Sequence, residues 1–204
     1  MSAIVTSEDG QKRCKWAASV PEFIDYHDTE WGFPVGDDIR LFEKLCLESF
    51  QSGLSWRTIL AKRENFRRAF MGFDFNKIAD FTDADITRLL SDEGIVRHRG
   101  KIQATINNAK KAQKMVAEMG SLSAYFWRYE PSFESMNEPQ TQSTSDVSKA
   151  IAKDLKKRGW KFVGPTTVYA FMQAMGLIND HDAECIIRSK AEKARQQFKR
   201  PQLP

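Results

Sequence analysis

Apolar residues recur at spacings of three and four along nearly the whole chain, a period that predicts helices. Asp37 or Asp38 is placed to cap a helix carrying Leu41, Phe42, Leu45, Cys46 and Ser49 on one face. Ser55 caps the next, with Ile59, Arg63, Phe66 and Phe70 following at helical spacing. Thr82 and Asp85, followed by Ile86, Leu89 and Leu90, form a capping arrangement with Asp in place of the usual Glu, and Gly94 ends that helix. A long basic helix is predicted from about Arg99 to Met119, with Ile102, Ile106, Ala109 and Val116 inward and Lys101, Lys110, Lys111 and Lys114 solvated. Ser121 to Tyr129 reads as a short aromatic-rich helix. The polar stretch 130–144 holds two prolines and reads as a surface loop. Thr144 or Ser145 then opens a helix to Lys157 built on Val147, Ala150, Ile151 and Leu155. No run alternates convincingly with a period of two. The expected fold class is therefore all-α, a single domain over residues 13–187 with room for two lobes, and residues 1–12 and 188–204 are expected to be poorly ordered.

Composition changes this picture little. The 204 residues are 41% hydrophobic and 28% charged, ordinary proportions for a globular protein. Apolar stretches are as short as Val168–Met172, so none spans a bilayer, and residues 1–13 lack the apolar core of a secretory signal. A cytoplasmic protein without a membrane partner is expected. Three cysteines, Cys14, Cys46 and Cys185, are too few and too scattered for a disulfide scaffold, which leaves buried packing, reactive thiols or metal ligands. The formal net charge is +4, and from Arg188 onward six basic residues oppose only Glu192. Such a tail favours anionic partners, but on charge alone a solvated terminus is the better reading.

The segment Gly159-Trp-Lys-Phe-Val-Gly-Pro-Thr-Thr167 joins two predicted helices. Gly159 can stop the first in a left-handed conformation, and Pro165 suits the first turn of the second. The free N–H groups after Gly164, with Lys156, Lys157, Arg158 and Lys161 nearby, suit a phosphate oxygen. A tight connection with solvated charges explains the same residues. This segment, followed by Gly176-Leu-Ile-Asn-Asp-His181, resembles the helix–hairpin–helix of DNA repair glycosylases. Glu93-Gly-Ile-Val-Arg-His-Arg-Gly-Lys-Ile102 resembles the basic stretch that precedes it. Arg13-Cys-Lys-Trp16, Tyr26-His-Asp-Thr-Glu-Trp-Gly32 and Gln51-Ser-Gly-Leu-Ser-Trp56 are similar to the bacterial 3-methyladenine DNA glycosylase I family. These motifs keep the family's order from about Arg13 to Cys185.

The resemblance implies a structural Zn²⁺ held by Cys14, His27, His181 and Cys185. Two thiolates and two imidazoles make a closed tetrahedral set, and a helix would put His181 and Cys185 on one face. Such a site would join the N- and C-terminal segments of the helix–hairpin–helix glycosylase fold. Cys46 is left over on a buried helix face, and His98 is expected to face DNA or solvent. The resemblance further implies a base pocket of Trp16, Phe23, Tyr26, Glu48 and Trp56. Taken alone, Glu48 also reads as a surface residue near a helix end, and the aromatics as core. Gly53 and Leu54 are expected to fill the gap left by a flipped nucleotide, although Leu54 equally suits the core, while Lys161, Gly164 and Thr166 would touch DNA.

The function so implied is hydrolysis of the N-glycosidic bond of 3-methyladenine in double-stranded alkylated DNA by a monomeric, monofunctional glycosylase, with Glu48 stabilising the cationic base. Asp180 lies near the catalytic Asp of other helix–hairpin–helix glycosylases but receives no role. Phe23 replaces a Tyr of better-known members, and Ser49-Phe50 replaces a Gly-Gln, so added bulk beside Glu48 is expected to alter base selectivity. The rivals are a glycosylase for a related alkylated purine and a non-catalytic module that binds nucleic-acid backbone.

Overall fold

In the computed structural model, residues 4–132 and 138–203 are described. The chain opens with a feature the hydrophobic period did not show. Strands β1 (Ile4–Thr6) and β2 (Lys12–Cys14) pair antiparallel in the register Ile4 with Cys14, Val5 with Arg13 and Thr6 with Lys12. Three residues are too few to establish an alternation. Everything else regular among the described residues is helical.

Helix α1 (Glu22–Thr29) is followed by α2 (Asp38–Gln51), in which every residue from Leu41 to Phe50 is buried. Both candidate caps are used. Asp37 accepts the Arg40 N–H and starts α2, while the Asp38 carboxylate accepts the N–H groups of Leu122 and Ser123 and caps α8 (Leu122–Trp127) from across the core. The helix expected after Ser55 is two helices, α3 (Trp56–Ala61) and α4 (Arg63–Ala69), broken at Lys62. The break lets Phe66 and Phe70 pack at a tilt against Phe50 while Arg63 turns to form a bidentate pair with Glu30. After α5 (Phe75–Ile78), α6 (Asp83–Ser91) begins with the expected capping box. It ends three residues before Gly94, whose own N–H is taken by Asp92.

Helix α7 runs from Arg99 to Met119, and His98 is its cap, accepting the Lys101 N–H through Nδ1. Lys101 is not solvated: its buried ammonium donates to the carbonyls of Phe50 and Ser52 at 2.8 and 2.6 Å. The period marks the face of a residue, but it cannot foresee that orphan carbonyls at the end of α2 wait within reach of a lysine.

Helix α9 (Asp146–Lys157), capped by Ser145, turns through Gly159 at φ +85° into α10 (Pro165–Ala174), which packs against α2. Gly176 closes α10 at φ +73°, where a Cβ would lie 2.5 Å from the Phe33 carbonyl carbon. The basic tail is not a loose terminus. Residues Arg188–Gln197 form α11, on which Ala191 and Arg195 are buried. Arg195 donates to the carbonyls of Gly176 and Leu177 and pairs with Glu130, and Phe198 packs on Trp127. Charge counting placed this segment in solvent because it could not see the carbonyls and the carboxylate that this arginine satisfies. Among the described residues no helix is long and apolar enough to cross a membrane.

Candidate base-binding cavity and metal centre

Four segments converge on a cavity of about 300 Å³, within the size range of small-ligand pockets. Trp16 follows β2, Phe23 and Tyr26 lie one turn apart on α1, Glu48 comes from α2, and Trp56 begins α3. The structure thus brings all five residues expected of a base pocket onto one wall. Trp31, Gln51, Gln140, Ala170 and Gln173 complete it. The rings are set edge-to-face or tilted: Trp16 lies 5.9 Å from Phe23 and 5.0 Å from Trp31, and Tyr26 lies 5.4 Å from Trp56. Such a wall offers π-faces to a planar ligand.

Glu48 is only 5% exposed. A carboxylate so enclosed needs a partner, and it has one that the sequence reading overlooked. Lys44, one turn earlier on α2, reaches Glu48 Oε1 at 2.9 Å and donates to Tyr26 Oη at 2.6 Å. Its ammonium also lies 3.5 Å from the centre of the Trp56 ring. Burial pushes the Lys44 ammonium below its ordinary range, opposed by Glu48, and burial with Glu48 nearby raises the Tyr26 phenol. The i, i+4 spacing of Lys44 and Glu48 on a buried helix was the available signal.

Ser49 and Phe50 do not crowd this cavity. The single Ser49 hydroxyl hydrogen is shared between the carbonyls of Leu45 and Phe162, and Phe50 turns into the core against Phe66. Asp180 does not line it either. Its carboxylate, raised by burial, accepts the Gln140 N–H and the Gln173 side-chain amide, so it acts behind two residues that do.

Gly53 adopts φ +78° and Leu54 is 41% exposed, which takes Leu54 out of the core. Lys161 and Thr166 are exposed, and Gly164 caps α10 with open space where a Cβ would be. The Lys161 backbone is clamped by the Asn108 side chain through both its N–H and its carbonyl. Phe162, not anticipated, is 41% exposed at φ +57°, edge-on to His98. The Ser49 hydroxyl holds the 159–164 turn and the Lys101 ammonium holds the Leu54 turn, both at the C-terminal end of α2 that carries Glu48.

A second cluster sits behind Trp16. The Sγ atoms of Cys14 and Cys185 and a ring nitrogen of His27 lie within 4.8 Å of one another, all buried, a group that could hold a metal ion. His27 Nε2 is 3.5 Å from Cys185 Sγ, and its Nδ1 is fixed by Asp28 at 2.7 Å, which Arg13 holds in turn. His181 packs edge-on to His27, its Nδ1 held by Asn179 at 2.9 Å. Its Nε2 is buried with no hydrogen-bond partner. His181 is not one of those three, but its orphaned imidazole nitrogen next to His27 fits a metal, with the other ring nitrogens oriented by carboxylate and amide as metal-bound histidines require. Residues 181–187 are successive turns rather than the helix that the His181–Cys185 spacing suggested.

With this geometry described, comparison places the chain in a class. The fold is that of a solved 3-methyladenine DNA glycosylase I, 46% identical, with a TM-score of 0.78 over 85% of this chain and 98% of that one. The Staphylococcus aureus 3-methyladenine DNA glycosylase I is 36% identical, with a TM-score of 0.79 over 86% and 96% of the two chains. A 3-methyladenine DNA glycosylase I solved in complex with 3-methyladenine superposes equally well, at 36% identity and a TM-score of 0.79 over 86% and 97%. The methyladenine glycosylase family profile matches residues 16–189, and the DNA-3-methyladenine glycosylase 1 of Escherichia coli K12 is 46% identical over 178 residues, 85% of this chain and 95% of that protein. This chain belongs to the methyladenine glycosylase family.

Proposed function

We propose that this protein is a monofunctional, monomeric DNA glycosylase that hydrolyses the N-glycosidic bond of 3-methyladenine in double-stranded alkylated DNA, releasing the base and leaving an abasic site. The observation that carries the reading is a buried carboxylate, Glu48, lining one cavity together with the rings of Trp16, Phe23, Tyr26, Trp31 and Trp56. A damaged nucleotide must leave the stack to meet such a wall. The exposed Leu54 turn fits the space it vacates, and the N–H groups at the start of α10, with Lys161 and Thr166, fit the phosphates beside it.

Alkylation at N3 makes the purine a cationic leaving group. Glu48 holds that cation, the rings stack on it, and water completes hydrolysis as the sugar develops oxocarbenium character. The amine of Lys44 lies outside the cavity lining, so no imine with the sugar and no strand cleavage are expected. A binding module without activity has no use for a carboxylate enclosed among rings.

The finer reading of the second cluster is a structural Zn²⁺ held by Cys14, His27, Cys185 and the orphaned Nε2 of His181. The ion would tie the β2 end of the chain to the turns before α11, leaving the chemistry to the cavity.

The test is release of free base from methylated duplex DNA, with the product identified. Wild type should release 3-methyladenine, and Glu48→Ala should lower the rate at least about a hundredfold. Wild-type protein that is folded and releases no base would falsify the reading.

A further inference from the structure

Behind the base cavity lies a second, much smaller one of about 30 Å³, and Tyr26 and Trp56 line both. Its other walls are charged: Glu30 from the end of α1, Arg40, Glu43 and Lys44 from α2, and Arg63 and Arg67 from α4. Arg63 pairs with Glu30 and Arg67 with Glu43 within this cluster. The Lys44 ammonium instead pairs outside it, reaching past the partition to Glu48 while it donates to Tyr26. An ammonium buried to this degree costs stability that an aliphatic chain of the same volume would not. What it adds is hydrogen-bond direction.

A lysine ammonium donates and cannot accept. The Tyr26 oxygen is therefore an acceptor toward Lys44, which turns the phenol hydrogen away from it. Glu48 gives Oε1 to the same ammonium and keeps its other oxygen. Seen from the cavity, the pair becomes one donor beside one acceptor. Adenine presents the complement on one edge, the N7 acceptor next to the N6 amino donor, whereas guanine presents two acceptors, N7 and O6.

We propose that Lys44 is a positioning residue that fixes Tyr26 as donor and Glu48 as acceptor from behind the aromatic partition, and so sets the preference for adenine over guanine among methylated bases. This inference rests on the glycosylase reading above. Without the ammonium, the phenol can donate to the neighbouring carboxylate, and the two groups then satisfy each other rather than the base.

The experiment measures release of 3-methyladenine and of 3-methylguanine, which keeps N7 and O6 free, from methylated duplex DNA by wild type, Lys44→Met and Lys44→Arg. Lys44→Met is expected to lower kcat for 3-methyladenine about tenfold with KM little changed, and to narrow its margin over 3-methylguanine by a similar factor. Lys44→Arg should recover most of both, since a guanidinium keeps the donors and its extra bulk fits the small cavity. A second measurement needs no altered function. The side-chain ¹⁵N signal of Lys44 in wild type, assigned by its loss in Lys44→Arg, should shift when free 3-methyladenine is added and stay still with 3-methylguanine. Unchanged kcat and selectivity in Lys44→Met, an arginine variant as impaired as the methionine one, or a Lys44 signal indifferent to 3-methyladenine would each overturn the role of Lys44 alone. A folded wild type that releases neither base would overturn it together with the glycosylase reading.

Discussion

Gly176 shows how tightly single residues are specified here. It combines φ +73° with an approach so close that a Cβ would meet the backbone of Phe33 and Pro34 at 2.5–2.7 Å. The contact joins the end of α10 to the segment that leads from α1 into α2, so it sets the spacing between cavity walls. Gly176→Ala adds left-handed strain to a backbone clash and should cost about 2–4 kcal/mol, read from the denaturant midpoint. A loss below about 1 kcal/mol would show that the two segments can separate freely. At this scale the sequence was legible only through the family resemblance. Taken alone Glu48 reads as a surface residue and the aromatics as core, yet Trp16, Tyr26, Glu48 and Trp56 line one cavity. Lys44 and Gln140 did not stand out. A lysine on a helix reads as solvated until its neighbours are known, and Gln140 reaches the cavity from a loop whose path no periodicity encodes.

Among the elements, α11 carries the sharpest prediction. Its Arg195 is buried and serves two carbonyls and a carboxylate. Arg195→Ala leaves the carbonyls of Gly176 and Leu177 and the Glu130 carboxylate short of a donor, which should cost about 3 kcal/mol and loosen α11. Thermal unfolding and amide exchange of residues 188–197 would register both, and an unchanged midpoint would mean that the helix is held by Ala191 and Phe198 instead. Helices with a clear stripe and a polar cap were legible, α7 to the residue. Those with mixed signals were not. The period continued across Lys62 although the helix stops there, because Ile59 and Phe66 keep helical spacing on either side of the break. The β1–β2 hairpin and the docked tail are held by partners remote in sequence, which no local pattern records.

For the molecule as a whole, the proposed zinc site would tie its two ends together. Cys14 and Cys185 stand at opposite ends of the domain, and a bound ion would close nearly the entire chain into one loop. Metal analysis of the folded protein should give about one Zn²⁺ per chain, and a chelator should lower the midpoint of thermal unfolding. Cys185→Ser should do the same without added chelator. A metal content near zero in folded, active protein would remove the site. The cluster is also coupled to the cavity, since the Gln140 amide donates both to Cys14 Sγ at 3.3 Å and to the Asp180 carbonyl at 2.8 Å.

Ten successive enclosed positions make α2 an axle with no free side. One residue inserted upstream of Lys44 would rotate everything after it by about 100°, swinging Glu48 off the cavity and its lysine off the partition. Base preference in a molecule built this way can drift by exchanging side chains around the axle, but not by altering its length.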